Sequence, residues 1–165
     1  AEVYEGMGNT YGKRGYQMQL EGRAELAKQQ FEEALKNYNL ALKYKANKGS
    51  TYFNRAVTYS ILGQHQNAIQ DYTKSIQFQP QQIQKATVNR GISYLKTKQF
   101  QAAIQDFNAA LQYNPKNVNA LNNRAIAWSN IGQKEQALND LQTVLSIDPS
   151  NTETGKLLQR IQRTN

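Results

Sequence analysis

One residue pattern occurs three times along this chain. Each copy opens with an Asn-Arg pair, places an aromatic residue four positions after the Arg, and closes with a proline 25 positions after it. The Asn-Arg pairs stand at 54–55, 89–90 and 123–124, so the period is 35 and then 34 residues. Self-similarity at this period is typical of stacked helical units that bury their apolar faces only against neighbouring units. We therefore predict an all-α array, of a kind that mostly binds other proteins.

Within each copy, the spacing of apolar residues predicts two antiparallel helices. Between residues 49 and 83, apolar side chains recur at helical spacing on both sides of Gly63, and Pro80 ends the second helical segment. Ala56 and Ala68 are small enough to let the two helices approach closely, while aromatic side chains fill the space around them.

The small residues, the aromatic residues and the closing proline follow the pattern Trp-x2-Leu-Gly-x2-Tyr…Ala-x3-Phe…Pro, so the chain resembles the tetratricopeptide repeat family. The resemblance covers residues 15–163. It implies a right-handed superhelical array, an α-α solenoid, of four helix pairs with a C-terminal capping helix. The expected segments are a partly ordered lead-in at 1–14, a weak first repeat at 15–48, repeats at 49–83, 84–117 and 118–151, and the capping helix at 152–165.

Both ends depart from the pattern. The weak first repeat has Ala46 where the others have proline, and Glu21 and Asn37 where the others have Arg and Asp. Such differences are expected of an end repeat with one neighbour. At the other end, the stretch from Ser150 to Glu153 is a candidate capping box, in which the two side chains satisfy free backbone N–H groups of the last helix.

An Arg and an Asp recur 16 residues apart in the three strong repeats. Because the weak repeat lacks both, we predict that each Arg binds the Asp of its own repeat and joins its two helices. The alternative is a row of Arg side chains that binds an anionic ligand. The pairs are Arg55 with Asp71, Arg90 with Asp106, and Arg124 with Asp140.

An Asn precedes the Arg in each strong repeat, although Asn is a mediocre helix former. The resemblance to peptide-binding members of the family implies that these amides face a concave surface lined by the first helices. An Asn amide matches the C=O and N–H groups of an extended peptide. The alternative is that the apolar neighbours only pack adjacent helices and the amides are solvated. The candidate peptide-binding residues are Phe53, Asn54, Val57, Ile61, Lys85, Val88, Asn89, Ile92, Lys96, Asn122, Asn123, Ile126 and Asn130.

Co-chaperone members of the family use a clamp of Lys, Arg and Asn side chains for acidic C-terminal peptides. The resemblance places the five clamp positions of this chain at Gln19, Arg23, Asn54, Lys85 and Asn89. Only Asn54 and Lys85 match the clamp, which disfavours a receptor for chaperone tails.

The net charge of +8 is concentrated in residues 49–117, where seven Lys and Arg accompany two Asp. We expect a protein partner with acidic residues; a solvated basic face is the alternative. A helical-repeat RNA-binding protein is the competing class, because such proteins run near the same period. We do not expect a nucleic-acid partner, because the proline-terminated pattern belongs to the protein-binding relative.

The sequence gives little support to catalysis. His65 is the single histidine and there is no cysteine, so no second residue of these types could share a metal with it. We expect His65 to be exposed and idle, in the turn after Gly63. No Gly-rich phosphate loop follows a strand. We expect no catalytic residues, no metal site and no cofactor.

Location is weakly constrained. No apolar run approaches the roughly 18 residues of a membrane span, and the absence of cysteine fits either redox compartment. The chain begins at Ala1 without an initiator Met, which fits a trimmed chain or a mature form after signal cleavage. We expect a cytoplasmic protein, with an exported mature form as the alternative.

Overall fold

A computed structural model describes residues 1–45 and 47–163 of the chain. Helices account for nearly all of these residues, and no strand occurs among them. The nine α-helices of the described residues are α1 (Glu2–Leu20), α2 (Ala24–Tyr44), α3 (Gly49–Ile61), α4 (His65–Phe78), α5 (Ile83–Lys96), α6 (Phe100–Tyr113), α7 (Val118–Asn130), α8 (Lys134–Ile147) and α9 (Thr152–Arg163), with a short 3-10 turn at Pro80–Gln82. The predicted all-α helical-repeat fold, with four helix pairs and a final helix, is confirmed.

The chain forms two compact units. Unit 1 is Ala1–Ala86, and unit 2 begins at Thr87, so the boundary falls inside α5. The predictions that concern Ala46 and the last two residues of the capping helix lie outside the described residues.

Unit 1 has its core between the paired helices. Ala56 and Ala68 are fully buried and pack with Tyr72, which is 1% exposed, so the small residues do allow the close approach that the spacing predicted. In the preceding pair, Phe31 and Tyr38 of α2 are buried in the same manner. Small residues on one helix thus accommodate aromatic rings on the next.

Unit 2 repeats this arrangement and ends under α9. Phe107 is fully buried in one cluster, and Ala137 and Leu141 are fully buried in a second. Ile161 of α9 belongs to the second cluster, with Leu157 packed against it. The apolar face of α9 therefore covers α8, as expected of a capping helix.

The N-terminus differs from the prediction. Residues 1–14 were expected to be a partly ordered lead-in, but α1 begins at Glu2 and runs through them. Helices α1 and α2 have 19 and 21 residues, whereas α3 and α4 have 13 and 14. The first pair is therefore about two turns longer than the second.

The turn between α1 and α2 shows how the first pair aligns with the others. Gly22 has φ +75, as Gly63 has φ +74 between α3 and α4. The N–H of Arg23 donates to the carbonyl of Met18, as the N–H of Gln64 does to the carbonyl of Tyr59 in the next pair. The offset between these turns is 41 residues, not 34.

This alignment corrects the sequence comparison. With the offset of 41, the equivalents of Arg55 and Asp71 in the first pair are Arg14 and Gln30, not Glu21 and Asn37. The first repeat therefore keeps the Arg and lacks only the Asp.

The cap of α9 is shifted by one residue from the predicted capping box. Asn151 caps the helix, because its side-chain Oδ1 accepts the N–H of Thr154 at 3.0 Å. Ser150 instead donates to the carboxylate of Asp148 at 2.6 Å.

Candidate functional site

Unit 1 carries a cleft of about 530 Å³ between α1 and α3, which we call the α1–α3 cleft. It contains four of the predicted peptide-binding residues: Phe53, Asn54, Val57 and Ile61. They lie on the first helix of the second repeat, as the resemblance implied. The full lining is Asn9, Gly12, Lys13, Tyr16, Phe31, Tyr38, Phe53, Asn54, Val57, Thr58 and Ile61.

The contribution of α1 to this cleft was missed by the sequence analysis. Asn9, Gly12, Lys13 and Tyr16 form one wall, although residues 1–14 were assigned to a lead-in. The signal was present, since Lys13 precedes Arg14 just as each predicted Asn precedes its Arg. The α1 side of the site became visible only when the correct offset placed these residues on a first helix.

Two amides interlock in the cleft. The side-chain Oδ1 of Asn9 accepts a hydrogen bond from the Tyr38 hydroxyl and another from Nδ2 of Asn54, each at 2.9 Å. Burial, with a smaller effect from the charge of Glu5, raises the pKa of Tyr38 far above its ordinary value, so the phenol stays protonated and donates. The Asn54 amide, which was predicted to be a ligand contact, is thereby held in a defined orientation.

A buried carboxylate ties α1 to the start of α3. Glu5 is 8% exposed, forms an ion pair with Lys48 and accepts the Ser50 hydroxyl at 2.9 Å. Burial alone would raise the pKa of Glu5, but the hydrogen bonds from Lys48 and Ser50 and the charge of Lys48 hold it below its ordinary value. This contact fixes the N-terminal part of α1 beside the cleft.

The predicted Arg–Asp pairs are confirmed. Nε and one terminal nitrogen of Arg90 donate to the two oxygens of Asp106 at 2.8 and 2.7 Å. Arg55 with Asp71 and Arg124 with Asp140 show the same two-bond geometry, at 2.6 to 2.8 Å. Because these guanidinium groups are bound within their own repeats, the row of Arg side chains is structural rather than a ready anion site.

Two of the predicted contacts in unit 2 are occupied by the fold itself. Val88 is 7% exposed and belongs to the core, so its prediction as a ligand contact is wrong. Asn122 accepts a hydrogen bond from the buried Thr154 of α9 at 2.9 Å, so the capping helix takes up this amide. Ile92 is half-buried and packs against the same cluster as Val88.

Other predicted residues of unit 2 remain accessible. Asn123 is half-buried and its amide donates to Asn119, while the exposed Asn130 donates to the backbone carbonyl of Ile126. Asn89 is half-buried and Lys96 is exposed. Their role as ligand contacts stays a prediction.

Two further sequence predictions concern unit 1. Lys85 is exposed in the first turn of α5. His65 is the first residue of α4 and is half-buried, so the expectation of an exposed turn residue is wrong.

The offset of 41 also moves two clamp positions. The positions assigned to Gln19 and Arg23 fall seven residues earlier, on Gly12 and Tyr16, both of which line the α1–α3 cleft. Arg23 instead lies in the turn after α1 and pairs with Glu21 at 3.3 Å. Neither Gly12 nor Tyr16 supplies the charge or amide that the clamp requires, so the match remains limited to Asn54 and Lys85.

Comparison with protein families identifies the repeats. Models described as tetratricopeptide repeat match residues 6–81, 85–117 and 118–151. The chain belongs to the tetratricopeptide repeat family. The first match includes most of α1, in agreement with the structure. Family membership makes the chain a protein–protein interaction scaffold, because stacked repeats present extended binding surfaces.

Several known proteins resemble this tetratricopeptide repeat chain. A curated relative, E3 ubiquitin-protein ligase TTC3 of Rattus norvegicus, is 36% identical over 64 residues, which are 39% of this chain and 3% of that protein. MamA 41-end from Desulfovibrio magneticus RS-1 has a TM-score of 0.78 at 19% identity, over 94% of this chain and 83% of that chain. This likeness shows the fold alone.

Two domains of RPAP3 are closer in sequence. The first TPR of Spaghetti (RPAP3), bound to HSP90 peptide SRMEEVD, has a TM-score of 0.66 at 27% identity, over 70% of this chain and 91% of that chain. The second TPR domain of human RPAP3, in complex with HSP70 peptide SGPTIEEVD, has a TM-score of 0.64 at 25% identity, over 68% and 93%.

Two searches of the described part of this repeat chain gave negative results. None of its described helices combines the length and apolar character needed to cross a membrane. Residues 1–45 and 47–163 contain no group of three or more His, Cys, Asp or Glu side chains that could hold a metal ion.

Proposed function

We propose that this chain binds an extended segment of a partner protein, with the α1–α3 cleft as its site in unit 1. The observation that carries the proposal is the interlocked amide pair of Asn9 and Asn54 inside an aromatic-walled cleft. Apolar clefts with a few convergent polar groups are the usual form of ligand sites. An extended peptide supplies both apolar side chains and backbone groups that match Asn amides.

The RPAP3 domains support a peptide as the ligand, since their structures hold peptides SRMEEVD and SGPTIEEVD. This chain has Gly12 and Tyr16 at two of the clamp positions that co-chaperones use for such acidic tails. We therefore propose an internal or extended segment rather than a chaperone tail. The peptide SRMEEVD serves below as a comparison probe.

Charge supports acidic residues in the partner. Arg55 and Arg90 are already bound by Asp71 and Asp106, so they do not supply the basic surface. The supply comes from exposed lysines outside these pairs, namely Lys13, Lys85, Lys96, Lys98 and Lys116. Such exposed charges act mainly on the rate of association and on its salt dependence.

Selection of displayed peptides against the purified chain tests the proposal. We expect enriched peptides with affinities on the order of micromolar. Asn54→Ala should weaken them about tenfold, because it removes a polar contact and frees Asn9. Asn67→Ala, an exposed amide on α4, is the matched control and should leave binding unchanged.

The outcomes are distinct. SRMEEVD should bind more weakly than the selected peptides. Peptides that bind Asn54→Ala as tightly as the wild type would place the site elsewhere. Displacement of the peptides by single-stranded RNA at physiological salt would favour the nucleic-acid class instead.

A further inference from the structure

The space beside Gly12 in the α1–α3 cleft is enclosed by aromatic side chains. Its walls include Tyr16, Phe31, Tyr38 and Phe53. If position 12 carried a Cβ atom, its only described neighbour within 4 Å beyond the helix itself would be the Tyr38 hydroxyl oxygen, at 3.6 Å. The glycine therefore leaves room for a side chain from outside, against rings that favour apolar and aromatic groups.

The amide pair next to this space presents one donor and one acceptor. Asn9 Oδ1 accepts from both Tyr38 and Asn54, so the Asn9 amide cannot turn over without losing two hydrogen bonds. Nδ2 of Asn9 and Oδ1 of Asn54 have no further hydrogen-bond partner within the described residues. One N–H donor beside one oxygen acceptor complements the C=O and N–H groups of a peptide backbone.

The charge of the lining selects against a basic side chain. Aromatic walls by themselves can also bind a cation. Lys13 is the charged residue among the lining side chains, and no carboxylate accompanies it there among the described residues. A Lys or Arg of a ligand would therefore meet a like charge without compensation.

We infer that the α1–α3 cleft recognises a peptide through one large, neutral, apolar side chain, of the size of Leu, Met or Phe. This side chain enters the space above Gly12, and the Asn9–Asn54 amide pair binds the backbone next to it. The inference rests on the proposed function and names the chemistry of its ligand.

Single-residue amides test this chemistry directly. The intact chain is titrated with N-acetyl amides of phenylalanine, leucine, alanine and lysine, and the side-chain NH₂ resonances of Asn9 and Asn54 are followed by NMR. The phenylalanine and leucine amides should shift both resonances at concentrations at least about tenfold lower than the alanine and lysine amides require.

Two matched variants locate the site. Gly12→Leu fills the space and should abolish the shifts caused by the phenylalanine amide. Gly6→Leu introduces the same side chain on the same helix, where a Cβ meets no atom within 4 Å, and should bind as the wild type does. Both changes replace a helical glycine by a good helix former, so both variants should fold, which circular dichroism and thermal melting will check.

Three results would overturn the inference: equal affinity for the alanine and phenylalanine amides, unchanged binding by Gly12→Leu, or no response of Asn9 and Asn54 to any amide. Selected peptides separate this failure from failure of the proposed function. Peptides that require Asn54 but tolerate Gly12→Leu leave the proposed function standing without the apolar anchor. Peptides that ignore Asn54 remove the proposed function itself.

Discussion

Gly15 of α1 lies directly against the ring of Phe31 in α2. A Cβ atom at Gly15 would be 2.8 Å from Cε1 of Phe31, and a Cβ atom at Gly91 would be 2.8 Å from Cε1 of Phe107 in the third repeat. The contact that brings the two helices together is thus the same in both repeats. The first pair is a full tetratricopeptide helix pair with longer arms.

The same equivalence predicts that a missing ion pair can be restored. Arg14 and Gln30 directly precede Gly15 and Phe31, and so stand where Arg90 and Asp106 stand. Gln30→Asp should give Arg14 a carboxylate and raise the free energy of unfolding by about 0.5 to 1 kcal/mol, measured by urea denaturation. In an Arg14→Ala background the gain should vanish; an equal gain in both backgrounds would show that no pair forms.

The existing pairs should matter for stability. The side chains of Arg90 and Asp106 are 19% and 9% exposed, so removal of the Arg leaves a nearly buried carboxylate without its partner. Arg90→Ala should lower the free energy of unfolding by about 1 to 3 kcal/mol. Arg14→Ala is the matched control, because Arg14 faces no Asp, and should change stability by less than about 0.5 kcal/mol. Similar losses in the two variants would contradict a structural role for the pair.

The turn between α5 and α6 contains backbone strain. Lys98 has φ +59, whereas the corresponding turns of the other repeats use Gly22, Gly63 and Gly132 with φ between +74 and +77. Lys98→Gly should remove the strain of a side chain in the left-handed region and raise the free energy of unfolding by up to about 1 kcal/mol. Lys98→Ala removes the same charge but keeps the Cβ, and should give no such gain in thermal or urea unfolding.

The pH dependence of stability should reveal Glu5. Its pKa is held below the ordinary 4.5 in the folded chain, so its carboxylate stabilises the fold above that pH and loses this effect as the pH falls through the folded pKa. Glu5→Gln should therefore be less stable than the wild type at neutral pH, and the two should converge in acid. Glu2→Gln, at an exposed site on the same helix, should not reproduce the difference; parallel pH profiles of Glu5→Gln and the wild type would count against the contact.

The exposed lysines should act on salt dependence. Lys85→Ala combined with Lys96→Ala should flatten the dependence of peptide association on ionic strength while changing affinity little at high salt, because exposed charges are screened there. Stopped-flow association of a selected peptide measures this. Lys43→Ala with Lys45→Ala removes the same net charge at the end of α2. If it flattens the curve equally, overall charge rather than position is responsible.

The sequence predicted the later repeats well because three copies of one pattern support each other. The Arg–Asp pairs followed from the same recurrence. The first repeat was placed wrongly because a uniform offset of 34 was applied to a pair whose second helix is longer. The run Lys13-Arg14-Gly15 resembles Asn89-Arg90-Gly91 and could have indicated the offset of 41.

The site was harder to predict than the fold. Asn54 was identified from its recurrence, but Asn9 belongs to no repeated pattern. Its orientation depends on Tyr38, 29 residues away, and on Asn54, 45 residues away. Such long-range polar contacts have no local signature in a sequence. Val88 was wrongly included since the periodicity does not distinguish a core-facing position from its neighbour on the groove side.

The placement of charge in the repeats bears on how such chains change length. Each Arg–Asp pair lies within one repeat, while the contacts that Arg55 and Arg124 make with the preceding repeat go to the neutral amides of Asn39 and Asn108, at 2.6 and 2.7 Å. Duplication or deletion of a whole repeat therefore moves both charged partners together, and at each new junction only a neutral hydrogen bond is at stake. Arrays of this type can grow or shrink by whole repeats in evolution without leaving an unpaired charge inside the protein.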